Sequence, residues 1–70
     1  MNAYEATVRT NFPSYDGWAL FGAYPDLGTG KAPGVSLQRA QRMASTFNVQ
    51  TVIEPVGRDR FVVFRKTLRG

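Results

Sequence analysis

The segment Arg60-Phe61-Val62-Val63-Phe64-Arg65-Lys66 sends apolar side chains to both sides of an extended backbone, Phe61 and Val63 to one face and Val62 and Phe64 to the other. Such a strand has to be covered on both faces. The chain has only 70 residues, and a chain that short buries about 60% of its unfolded surface, enough for one core and one domain over residues 1–70. Only one helix is convincing in the sequence. The second face must therefore curl into a barrel, be covered by a loop, pair with a second copy of the chain, or receive a partner.

The convincing helix is opened by Val35-Ser36. Ser36 can accept a hydrogen bond from a free amide as N-cap, and Val35 can pack back against Ala40. Arg39 stands where a capping box would have an acid or amide. Leu37, Ala40, Met43, Ala44 and Phe47 then fall on one stripe at helical spacing, with Gln38, Arg39, Gln41, Arg42, Ser45 and Thr46 on the other side and Asn48 as a stop.

Elsewhere the pattern reads as strand. Tyr4, Ala6, Val8, Thr10 and Phe12 alternate with Glu5, Thr7, Arg9 and Asn11. Pro13, Ser14, Asp16 and Gly17 supply a turn, and Trp18 to Tyr24 reads as an antiparallel second strand in which Gly22 marks a bulge or a close backbone approach. Pro25 to Gly34 is a surface loop. Val49 to Val56 and Arg60 to Thr67 form a closing hairpin across Gly57-Arg58-Asp59, with Pro55 pointing to an edge. The expected fold is thus α+β: a four-stranded, mainly antiparallel sheet with one helix on one face, in the order ββαββ.

Histidine and cysteine are both absent, which removes the usual nucleophile-base pairs, thiol chemistry, disulfides and thiolate or imidazole metal sites. The five acids are scattered, so no carboxylate pair suggests acid-base catalysis. No catalytic residue, metal or cofactor is expected. Gly28-Thr29-Gly30-Lys31 resembles a phosphate loop only superficially, because Pro25 and Ala32 occupy positions that need glycine and a hydroxyl residue. Pro33 stands where a dinucleotide fingerprint needs its third glycine. The loop reads as a crossover or as a binding loop with Lys31 at its tip.

Charge is what remains informative. Residues 1–34 carry Arg9 and Lys31 against Glu5, Asp16 and Asp26, a net of −1. Residues 35–70 carry Arg39, Arg42, Arg58, Arg60, Arg65, Lys66 and Arg69 against Glu54 and Asp59, a net of +5. No acid lies between Val35 and Gln50, whereas a merely solvating helix face usually mixes both signs. Arginine predominates, and its planar fork pairs with carboxylate or phosphate and stacks on rings. Basic residues beside aromatics also occur on single-strand nucleic-acid platforms. Tyr15, Trp18 and Tyr24 are core, core rim or, if exposed, binding anchors.

The layout, and the ten residues Ser36-Leu37-Gln38-Arg39-Ala40-Gln41-Arg42-Met43-Ala44-Ser45, resemble very small phage-encoded inhibitors of CRISPR surveillance complexes, the helix being similar to that of a type I-F inhibitor family. That resemblance implies a non-enzymatic protein that docks on a Cas subunit or on the nucleic-acid channel. It transfers no individual site residue.

The expectation is therefore a non-catalytic phage or mobile-element protein that sterically blocks a nucleoprotein complex with an acidic surface. Its contact residues would be Arg39, Arg42, Arg58, Arg60, Arg65 and Lys66. The alternatives are a direct nucleic-acid binder, with Trp18 or Phe64 stacking, and a homodimeric interaction protein. Met1 to Ala6 has no export-signal character, and no apolar run approaches the roughly 20 residues of a membrane span, so the expected compartment is the host cytoplasm.

Overall fold

The computed structural model describes residues 3–25 and 32–67. Helix α1 (Ala3–Asn11) is followed by a short 3-10 turn (Pro13–Tyr15) and strand β1 (Ala19–Phe21); helix α2 (Leu37–Ser45) and strands β2 (Thr51–Gly57) and β3 (Arg60–Arg65) complete the order. Among the described residues the sheet has three antiparallel strands in the order β1-β3-β2, so the strand with two apolar faces lies in the middle.

The expected four strands and ββαββ order are corrected by α1, the segment whose alternation reads as a strand. Tyr4, Val8 and Phe12 satisfy both a two-residue and a four-residue spacing. Ala6 and Thr10 decide between them, since a strand would face both toward the core, and both are exposed. The threonines, poor helix formers, donate their hydroxyls back along the helix, Thr7 Oγ1 to the Ala3 carbonyl at 2.9 Å and Thr10 Oγ1 to that of Ala6 at 2.8 Å. Glu5 in the first turn and Arg9 in the last complement the helix dipole.

Helix α1 supplies the cover that the second sheet face requires. Val8 joins Ala23, Val62 and Phe64 in one buried cluster, rimmed by Tyr4, Phe12, Tyr15, Trp18, Leu20 and Val56. Phe64 is fully buried, stacked on Tyr15 at 4.4 Å between centroids and met edge-on by Phe12 at 5.7 Å. On the opposite face Val35, Ala40 and Val63 form a second cluster with Phe21, Met43, Ala44, Phe47, Ile53 and Phe61. The chain thus covers with its own residues the face for which barrel closure, a loop, a second copy or a partner had been the candidates.

Helix α2 forms where expected. Ser36 Oγ accepts from the Arg39 amide at 3.2 Å, and Ala40 is fully buried. Leu37, expected on the apolar stripe, is instead 44% exposed and is absent from the cluster that Ala40, Met43, Ala44 and Phe47 join.

Strand β1 stops short of the expected Tyr24. Gly22 has a φ of +80°, and a Cβ there would stand 3.3 Å from Val35 Cγ2. Val35 takes the vacated place beside β3, exchanging both backbone bonds with Phe61 at 2.8 and 2.7 Å. Phe61 therefore turns no ladder group toward β2. Its partner there is Pro55, which lacks the N–H that this position does not use, on an edge strand as its sequence context suggests.

Candidate anion-binding surface

The surface grows from the α2 side of the sheet. Positions 39, 42, 43 and 46 share one flank of α2. Arg39, Arg42, Met43 and Thr46 on that flank line an open hollow of about 470 Å³ together with Phe21, Gly22 and Phe47. β3 ends at Arg65, whose side chain lies on the same sheet face as Phe61 and Val63 because of strand alternation. The Arg65 guanidinium sits 5.3 Å from the Phe21 ring and 5.0 Å from the Phe47 ring, and the two rings are 4.8 Å apart. Contacts of this kind contribute about 0.5–1 kcal/mol at exposed sites and fix the direction of the fork.

A second hollow of about 360 Å³ adjoins the same ring, lined by Phe47, Asn48, Val49, Arg65, Lys66 and Thr67. Val49 is 41% exposed there. Among the described residues neither hollow is lined by an acid. A third depression, lined by Arg9, Phe12, Pro13 and Asp16, carries both signs.

Of the six cations expected to make contact, the fold gathers Arg39, Arg42, Arg65 and Lys66 around Phe47. Arg58 and Arg60 lie at the opposite end of β3, about 16 Å away at roughly 3.3 Å per residue. Arg58 is exposed in the turn, and Arg60 is half-buried, with its Cβ 2.8 Å from where a Cβ on Gly34 would stand. The expected contact set is therefore two groups rather than one patch.

The two expected stacking residues belong to the other face. Phe64 is corrected outright: it is fully buried, with Tyr15 against its ring face. Trp18 is half-buried and meets Tyr15 edge-on at 5.1 Å. Tyr24 is 58% exposed, with its ring against that of Tyr4 at 5.6 Å. Lys31 and Gly28 to Gly30 lie outside the described residues. Sequence reasoning missed Phe21, Phe47 and Val49. Phe47 was legible only as core, and nothing in the local pattern pairs it with Phe21 across 26 positions of chain.

A polar pair of side chains on the α1 side is structural. Tyr15 donates its hydroxyl to Glu54 Oε2 at 2.6 Å. That hydrogen bond, with burial and the nearby carboxylate charge, holds the Tyr15 pKa above its ordinary value, so the phenol stays protonated. Among the described residues no group of three acids, histidines or cysteines is placed to hold a metal ion, and no helix is long and apolar enough to cross a membrane.

No family model matches the sequence, and neither the curated proteins nor the solved structures give a match.

Proposed function

We propose that this protein is a non-catalytic binding domain that inhibits a nucleoprotein machine by occupying an acidic protein surface. The reading rests on one observation: Arg39, Arg42, Arg65 and Lys66 converge around Phe47, and no acid among the described residues lines the two hollows between them. An anionic partner would meet several cations, Arg65 among them already oriented by two rings, in hollows with no acid among their described lining residues. The host cytoplasm is the compartment proposed for this activity.

A protein surface suits the site better than bare nucleic acid. Base stacking needs free ring faces. Here Phe64 is buried, Trp18 packs on Tyr15, and Phe21 and Phe47 pack on each other beneath Arg65. The similarity of residues 36–45 to the helix of type I-F CRISPR inhibitors identifies the machine to try first.

The test is target-DNA capture by a type I-F surveillance complex, with and without the protein, beside a salt series on bare oligonucleotides. The reading expects loss of capture, restored by Arg42→Glu with Lys66→Glu, and weak binding to bare strands. Unimpaired capture together with tight oligonucleotide binding, lost steeply as salt rises from about 50 to 200 mM, would establish direct nucleic-acid binding instead.

A further inference from the structure

The two hollows differ in a way that specifies what docks there. The hollow on the α2 flank is lined by Arg39 and Arg42 with Met43, Thr46 and the paired rings of Phe21 and Phe47. The hollow beyond Phe47 is lined by Phe47 and the exposed Val49 together with Arg65 and Lys66, so apolar surface and two cations share it. An aliphatic side chain suits the apolar part of this second hollow, and a carboxylate suits the cations of either. A phosphodiester backbone has no aliphatic group to place against Val49.

We propose that the ligand of this surface is an acidic peptide segment of the partner protein with a single aliphatic anchor, the anchor seated against Phe47 and Val49 and flanked by carboxylates. Carboxylates on one side of the anchor pair with Arg65 and Lys66, and those on the other side with Arg42 on the α2 flank. Arg65 is held ready for this, because its guanidinium is already positioned by Phe21 and Phe47 at 5.3 and 5.0 Å. The proposal rests on the protein-docking reading above and adds the identity of the docked segment.

Selection from a random linear peptide library displayed against the intact 70-residue chain tests it, followed by anisotropy titration of the best peptide and of a labelled oligo-dT strand. The proposal expects the selected sequences to share an aliphatic residue with acids on both sides. Replacing that residue by serine should weaken binding about tenfold, the scale of one buried aliphatic group. Val49→Asp should do the same without changing the thermal midpoint appreciably, since Val49 is already 41% exposed, and Arg42→Glu with Lys66→Glu should abolish binding.

Acidic peptides that bind equally well with or without the aliphatic residue would overturn the anchor while leaving the docking reading intact. Binding of oligo-dT with no peptide selected, or peptides whose affinity ignores the charge reversals, would overturn both.

Discussion

The two faces of the sheet are built from the same strand and have opposite characters. Under α1, Phe64, Tyr15, Phe12 and Trp18 interlock, Glu54 is held by the Tyr15 hydroxyl, and Arg9 donates to the Trp18 carbonyl at 2.9 Å. Under α2 the buried set is smaller, Val35, Ala40 and Val63, and the cations at its margin face two open hollows. On the first side charged groups bond within the chain; on the second, Arg65 rests against Phe21 and Phe47, and Arg42 and Lys66 stand exposed at the rim.

Substitutions should therefore separate the faces. Phe64→Ala removes the most deeply buried ring and should cost about 3–5 kcal/mol, comparable with the whole stability of a domain with about 0.05–0.15 kcal/mol per residue. Urea unfolding followed by circular dichroism would show a chain largely unfolded before denaturant is added. A native-like midpoint would mean that α1 and its aromatics are not the principal support.

Tyr15→Phe should act on the same face more mildly, and its signature is in pH. Because folding raises the Tyr15 pKa, its contribution is fully present below the unfolded tyrosine value of about 10 and is lost as pH rises through the folded value. Thermal midpoints above about pH 10 should fall in the parent protein, and the Tyr15 part of that fall should vanish in Tyr15→Phe. Identical alkaline slopes would show that the Glu54 bond does not carry the effect.

The smallest change in stability is expected on the other face. Arg42→Glu with Lys66→Glu should shift unfolding by no more than about 0.5 kcal/mol, although the pair is expected to eliminate docking. A large destabilisation would blur the contrast, since these residues would then be structural too.

Much of the α2 side was legible in the sequence, because a capped amphipathic helix and a β-branched hairpin announce themselves over windows of about ten residues. α1 was not, since Tyr4, Val8 and Phe12 fit two periods and only the exposure of Ala6 and Thr10 separates them. The early end of β1 depended on a contact between Gly22 and Val35, thirteen positions on. For the site, the cationic excess was plain in the sequence but its division was not: Arg60 and Arg65 share a strand yet sit at opposite ends of it. The ring pair Phe21 and Phe47 exists only once β1 and the end of α2 are brought together.

The placement of Pro55 has a consequence for life in a crowded cell. In β2, as in any outer strand, the outward amides of a short apolar ribbon could template identical chains into a growing fibre. Here one of those outward positions lacks its donor, since Pro55 stands opposite Phe61, whose own backbone groups are bonded to Val35. The break falls within the longest strand of the sheet, so this margin of the molecule is interrupted as a seed for polymerisation at no cost to its own ladder.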